Sequence, residues 1–268
     1  NISAIQIFQY CLPFRQPFVI ARRELACREG LIIELKTDEG YTGFGEIAPL
    51  PGLSSEFLKE SIYQIRALRT QLGGFFIPEN LEGLKQFFLM KLFDALVPSV
   101  RFGLEMAVVH AVAQKKNCTI AEIIGCAHPG DLQTAGLLQG TIDEVASRAQ
   151  WLAQQGYKVF KLKVGSKNIP LDVKKVEAVQ STIGFGSLLR LDVNRGWSLN
   201  EAIAFDKNID PNGIEFIEEP LNDLNDLRRF AQATHLPIAL DESLFPFNPQ
   251  HAVSFEDVKF LVFKPMVM

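Results

Sequence analysis

The chain has 268 residues, a mass of 30.0 kDa and 47% hydrophobic content, enough for one large core or two ordinary ones. Its formal charge of −4 leaves no basic footprint for nucleic acid. No apolar run reaches the roughly 18 residues of a membrane span and no signal-peptide pattern opens the chain, so the expectation is a soluble, cytoplasmic protein with neither nucleic acid nor membrane as partner.

Cys11, Cys27, Cys118 and Cys126 show no CxxC or Cys/His ligand spacing and read as reduced, mostly buried thiols. His110, His128, His235 and His251 form no metal or triad pattern. Asn117-Cys118-Thr119 fits a glycosylation sequon, which carries little weight without a secretory signal. There is no Walker A sequence and no GxGxxG.

In chain order, residues 5–10, 30–37 and 41–46 read as strands, with Asp38-Glu39-Gly40 as the turn between the last two. Helical patterns follow at 55–72, 81–92 and 100–114. Strands followed by helices describe an α+β unit over residues 1–132, bounded by the Ala127-His128-Pro129-Gly130 turn. Within it, Gly45-Glu46-Ile47-Ala48-Pro49-Leu50-Pro51-Gly52 reads as a stiff, shaped loop. Such a loop fits closure over a site mouth, with Pro49 and Leu50 as substrate contacts, and equally fits a rigid connection without a role.

Residues 133–268 alternate strand and helix. A strand at 134–140 and a helix at 142–155 lead to Lys158–Gly165, KVFKLKVG. At the two-residue period of a strand, Phe160, Leu162 and Val164 point one way, and Lys161 and Lys163 the other. Four more charged residues each end an apolar run: Asp192, Glu218, Asp241 and Lys264. The steps from Lys163 through these are 29, 26, 23 and 23 residues. Each is close to one strand-helix repeat of roughly 30, with helical patterns at 171–183, 199–209, 224–234 and 249–257. Base, acid, acid, acid, base therefore fall at the carboxyl ends of successive parallel strands, where a (β/α) barrel keeps its reactive groups. A lone acid after a strand is more often a helix cap or a solvated loop residue. A ferredoxin-like or doubly wound sheet would also alternate β and α, but neither predicts inward charges at five consecutive strand ends.

Three carboxylates at neighbouring strand ends form a hard, oxygen-lined site suited to Mg²⁺, with Mn²⁺ as an alternative. Asp192, Glu218 and Asp241 are the candidate ligands. Glu219 and Glu242 adjoin them, and the pattern alone does not choose within each pair. Arg190 and Asn194 share the face of Asp192 and, with Glu242, are candidate supporting or substrate-contacting groups. A bound ion and a substrate carboxylate would together stabilise the charge formed when the adjacent carbon loses a proton. Lys161 and a nearby cation lower the pKa of Lys163 enough for it to act as a base. Lys264, four strands on, places a second amine across the pocket.

Lys161-Leu162-Lys163, Asp192 in DVN, Glu218-Glu219-Pro220, Asp241-Glu242-Ser243 and Lys264-Pro265 together resemble the muconate-lactonising subgroup of the enolase superfamily. The resemblance implies an enolase-type TIM-like (β/α) barrel behind an α+β capping domain. It assigns Glu218 and Asp241 to the metal with Asp192, and makes Lys163 the general base. Within the subgroup, GEIAPLPG and Arg190-Leu191-Asp192 resemble the o-succinylbenzoate synthase family. That implies a lyase that dehydrates 2-succinyl-6-hydroxy-2,4-cyclohexadiene-1-carboxylate on the route to menaquinone or phylloquinone. Lys163 would remove the proton beside the carboxylate and assist loss of water, while Lys264 stabilises the intermediate from the opposite face.

Two opposed lysines also permit racemisation of N-acylamino acids or epimerisation of dipeptides. A non-catalytic scaffold is disfavoured, because a buried like-charge set costs stability unless a function retains it. Six barrel strands can be counted where eight close a barrel, so the expectation is a natural protein longer by roughly 50 to 70 residues.

Overall fold

The computed structural model describes residues 1–20, 23–126, 130, 132–244 and 256–267, with backbone only at 16–20 and 23. The expected turn at 127–129, most of the expected helix at 249–257, and His128 and His251 lie outside the described residues. Two compact units divide the chain: Asn1–Gly130 with Lys264–Met268, and Asp131–Phe263.

The first unit opens with an antiparallel sheet in the order β1 (Ile2–Ile20), β2 (Arg23–Thr37), β3 (Thr42–Ile47). Leu31, Ile33 and Leu35 alternate inward on β2 and are fully buried. They pack with four helices, α1 (Leu58–Gln71), α2 (Leu81–Phe88), α3 (Pro98–Lys116) and α4 (Ile120–Ile123). The first two strands extend further toward their hairpin than expected. Residues 11–15 and 24–29 are largely exposed and lack apolar alternation, so backbone pairing, not a buried face, holds them. The helix expected from 55 starts at Leu58, where the Glu60 carboxylate accepts the Phe57 N–H at 2.8 Å. The cysteines correct the expectation of buried thiols: Cys11 and Cys126 are exposed, and Cys27 and Cys118 only partly covered. Cys11 and Cys27 sit on the hairpin extension, and Cys126 follows α4 in a turn.

The second unit is a parallel sheet of six strands in chain order: β4 (Ala135–Leu138), β5 (Val159–Lys163), β6 (Leu188–Asp192), β7 (Ile214–Glu218), β8 (Ile238–Leu240) and β9 (Phe260–Leu261). Between them run α5 (Ile142–Gln154), α6 (Ile169–Ile183), α7 (Leu199–Asp206) and α8 (Leu227–Ala233). Phe160, Leu162, Leu189, Leu191 and Ile217 are fully buried among the apolar side chains of these helices. Reciprocal side-chain caps, Thr141 with Glu144 and Ser198 with Glu201, start α5 and α7 directly after their loops. The strand-helix order is that of a (β/α) barrel. Among the described residues, no helix is long and apolar enough to cross a membrane.

Glycine governs how closely β3 approaches α3. A Cβ at Gly43 would enter the van der Waals shell of the Ala107 carbonyl oxygen, and one at Gly45 that of Gly103. Both obstacles are backbone atoms that cannot rotate away. We expect Gly45→Ala to lower stability by about 3 kcal/mol, the upper end of the usual overpacking cost, seen as a lower urea midpoint. An unchanged midpoint would mean that the strand and helix separate freely.

Candidate active site

Strand register decides which charges meet. On the parallel ladder Lys163 stands opposite Asp192, Asp192 opposite Glu218, and Glu218 opposite Ala239. One layer below, Lys161 stands opposite Arg190, and Arg190 opposite Phe216. Because Phe160, Leu162 and Leu191 fill the helix-facing side, the charged residues are left on the other face of the sheet.

The Lys161 ammonium reaches up between two strands, 2.8 Å from Asp192 Oδ2 and 2.8 Å from Glu218 Oε2, and donates to Glu218 Oε1 at 2.8 Å. Lys163 donates to Asp192 Oδ2 at 2.6 Å and to Asn194 Oδ1 at 2.5 Å. Asn194 continues the chain of contacts, its side-chain amide donating to Glu242 Oε1 at 2.8 Å. Asp192, Glu218 and Asp241 are each only 1% exposed.

The electrostatics follow from this crowding. Burial alone would raise the Asp192 pKa, but the Lys161 and Lys163 ammoniums outweigh it and hold the carboxyl below its ordinary range. Burial likewise pulls Lys161 down, yet Asp192 and Glu218 prevail and its pKa is raised. Glu218 goes the other way: burial first and the Asp192 charge second push it up to about 7 against the pull of Lys161, with Asp241 adding repulsion.

The Glu218-Glu219 pair is resolved by backbone conformation. Glu219 has φ +46°, in the left-handed region, which turns its side chain away from that of Glu218. Its carboxylate accepts from Asp241 N at 2.8 Å, Ser243 N at 2.7 Å and Ser243 Oγ at 2.6 Å. Glu219 is thus occupied in holding the end of β8, and Glu218 alone of that pair faces the lysines. Asp172 does the same for β5, accepting from Gly165 N at 3.0 Å and Ser166 N at 2.7 Å just past Lys163. The sequence reading missed Asp172; its position in the first turn of α6, seven residues after Gly165, is the signal that was available.

Other expected residues lie elsewhere. Arg190 is not among the carboxylates of the upper layer. Its Nε donates to Glu215 Oε2 at 2.5 Å and its guanidinium lies 5.2 Å from the Phe216 ring centre. Lys264 follows β9 in a turn closed by the Val267 N–H on its carbonyl and groups with the first unit. Pro49 and Leu50 also belong to that unit, in the loop after β3. There Arg28 donates to the Ala48 carbonyl and, at 2.8 Å, to the Pro49 carbonyl, while Leu50 N donates to Ser54 Oγ at 2.9 Å.

The donor set fits a hard divalent cation. Glu218 Oε2 and Glu242 Oε2 are buried and accept no hydrogen bond, the former lying out of line with Lys161. Asp192 and Glu218 already share one positive charge, that of Lys161. Among the described residues, the three ligand atoms that fall within 4.8 Å of one another are those of Cys11, Cys27 and Glu29 in the first unit.

Residues 2–111 match the model described as MenC, N-terminal domain, and residues 144–256 the one described as Enolase C-terminal domain-like. The o-succinylbenzoate synthase of Pasteurella multocida is 32% identical, over 100% of this chain and 74% of its own length. The chain belongs to the o-succinylbenzoate synthase family of the enolase superfamily. It is also 32% identical to the chloroplastic protein PHYLLO of Arabidopsis thaliana, over 92% of the chain but only 16% of that much longer protein. Among solved structures, the substrate-liganded L-Ala-D/L-Glu epimerase of Bacillus subtilis superposes with a TM-score of 0.86 at 26% identity, over 99% of this chain and 75% of the other. The o-succinylbenzoate synthase of Thermosynechococcus elongatus, with Mg in its active site, superposes at 0.72 and 26% identity, over 98% and 77%. The fold is therefore the enolase type that the family resemblance implied.

Removing the Glu219 clamp leaves the buried N–H of Asp241 and that of Ser243 without acceptors. Glu219→Ala is expected to cost about 3 kcal/mol, the desolvation penalty of groups left unpaired, while Glu219→Gln, which keeps one acceptor oxygen, loses about 1 kcal/mol or less. Urea unfolding of both variants checks the order; negligible loss in both would show that the clamp carries no energy.

Proposed function

We propose that this enolase-superfamily enzyme is an o-succinylbenzoate synthase, a Mg²⁺-dependent lyase that dehydrates 2-succinyl-6-hydroxy-2,4-cyclohexadiene-1-carboxylate on the route to menaquinone or phylloquinone. The carrying observation is the charge layer at the ends of β5, β6 and β7, where Lys161 and Lys163 face Asp192 and Glu218. The identity to the P. multocida synthase across the whole of this chain supports the choice of reaction.

In this reading Asp192, Glu218 and Asp241 hold the divalent ion. When bound, that ion supplies positive charge against the enediolate oxygens formed at the substrate carboxylate.

The two lysines divide the remaining work by their partners. Lys161 is wedged between two carboxylates that keep its proton in place, so it serves as a fixed positive charge. Lys163 has one carboxylate and one neutral amide oxygen, with a side chain 34% exposed, so it is the amine free to exchange a proton. It removes the proton beside the substrate carboxylate and returns it to the departing hydroxide. Asn194 orients the Lys163 ammonium and is itself oriented by Glu242. Lys264 is the second amine, stabilising the intermediate. Pro49 and Leu50, in the loop gripped by Arg28, contact the substrate.

The likeness to L-Ala-D/L-Glu epimerase supports a second reading, in which Lys163 and Lys264 act as opposed bases on an N-acylated amino acid or dipeptide. Incubating the full-length protein with each substrate in Mg²⁺ separates the two. Rising aromatic absorbance identifies the synthase, and exchange of the α-proton with deuterium without elimination identifies the racemase or epimerase.

Lys163→Ala is expected to reduce either turnover about 10³-fold, within the usual range for a lost general base. Full activity in that variant would remove Lys163 from the chemistry. Asp241→Asn should weaken Mg²⁺ binding, read by calorimetry, by about 10-fold or more, the scale on which even supporting groups act.

A further inference from the structure

We propose that Cys11 and Cys27 form a reversible redox modification site, a dithiol that closes to a disulfide across the β1–β2 hairpin. The sequence spacing hides the pair, because the partners lie on different strands. On the ladder Cys11 stands opposite Glu29, and Cys27 opposite Pro13. Cys27 and Glu29, two apart on β2, share a face, so the two sulfurs meet on the diagonal. The Sγ–Sγ separation is 2.7 Å.

That distance favours a bond over a shared metal ion. Two thiolates on one tetrahedral zinc, with bonds of about 2.3 Å, stand about 3.8 Å apart, whereas a disulfide needs about 2.05 Å. Among the described residues Glu29 is the one further donor in the cluster, which falls short of the four ligands of a structural zinc site. Cys11 is exposed and Cys27 partly covered, so a small oxidant can reach the pair. Cys11 is the more exposed sulfur and so the attacking one, while the Cys27 thiol is pushed up to about 11, first by its hydrogen bond with Cys11 and then by burial.

The oxidant is a low-molecular-weight disulfide. The Cys11 thiolate attacks one of its sulfurs, breaking that S–S bond and releasing one small thiolate. Cys27 then gives its proton to water and attacks the Cys11 sulfur, forming the protein disulfide and releasing the second small thiolate. Two protons and two electrons leave the protein dithiol, and the small disulfide becomes two thiols.

The location gives the bond a structural consequence within the first unit. The β1–β2 register slips between Pro13 and Phe18, directly beyond the pair. Arg28, next to Cys27, is the side chain that grips the Ala48 and Pro49 carbonyls. A disulfide at this point pins the ladder where it begins to slip and fixes the strand that carries Arg28.

The test equilibrates purified full-length protein in buffers of reduced and oxidised glutathione, blocks the remaining thiols and maps tryptic peptides by mass spectrometry. Trypsin cuts after Arg15, Arg22 and Arg23, between the two cysteines, so a bridge shows as joined peptides. The expected result is loss of both free thiols and one joined pair lighter by two hydrogen atoms, reversed by excess reduced glutathione. In Cys11→Ser and Cys27→Ser, the remaining cysteine is expected to keep a glutathione adduct instead. Separate adducts on both cysteines of the unaltered protein, bridges only between two chains, or thiols protected only by added zinc would each overturn the proposal.

Discussion

The second unit depends on one electrostatic fact: two carboxylates, Asp192 and Glu218, are almost completely buried side by side, and the Lys161 ammonium stands 2.8 Å from each. Isolated buried carboxylates would protonate, and adjacent ones repel. Glu218 shows the strain, its pKa pushed up to about 7, while Asp192 escapes it because two lysines serve it. A buried ion pair of this kind contributes little net stability, since desolvation consumes most of the attraction, but loss of one partner leaves the others uncompensated. The charge layer is a cost that a hydrophobic layer would avoid, which is the physical reason to look for its use in binding and chemistry.

What keeps the layer in place is neutral backbone. Parallel register delivers Lys163, Asp192 and Glu218 to one level, and two further carboxylates anchor the loops beyond them. Asp172 takes the N–H groups after Lys163, and Glu219 takes those around Asp241. Asn194 and Glu219, both in the left-handed region, end their strands with a sharp change of direction. For Asn194 that conformation comes cheaply, and for Glu219 it is offset by three hydrogen bonds to its carboxylate. Groups fixed by strand ends and by clamps of this type move less than groups carried on free loops.

How far the sequence reveals this depends on the distance over which each cause acts. Strand periodicity is local, so the opposite faces of KVFKLKVG and the succession of charged strand ends could be read directly. The choice of Glu218 over Glu219 rests on the φ of a single residue and on donors 22 and 24 residues away, which spacing does not encode. Arg190 fits the alternation, but its neighbour across the strand gap is Glu215, and the local ion pair takes it. The Cys11–Cys27 approach and the long β1–β2 ladder arise from cross-strand pairing without an apolar pattern, where sequence carries the weakest signal.

The number of partners, more than the identity of the side chain, separates the two amines of β5. Both are lysines, two residues apart on one face. Lys161 is enclosed by two carboxylates, so giving up its proton would leave the buried Glu218 without its cation and Asp192 with Lys163 alone. Lys163 surrenders a proton at the cost of one ionic contact, and as a neutral amine it still has N–H groups to donate to the Asn194 oxygen. The proposed elimination needs one amine that takes a proton and gives it back, a part that suits the singly ion-paired Lys163 better than the doubly paired Lys161. Racemisation requires a second exchanging amine on the opposite face, which Lys161 is too tightly held to be. In the proposed dehydration the charge layer supplies the exchanging amine, whereas inversion of a stereocentre would draw a second exchanging amine from outside it.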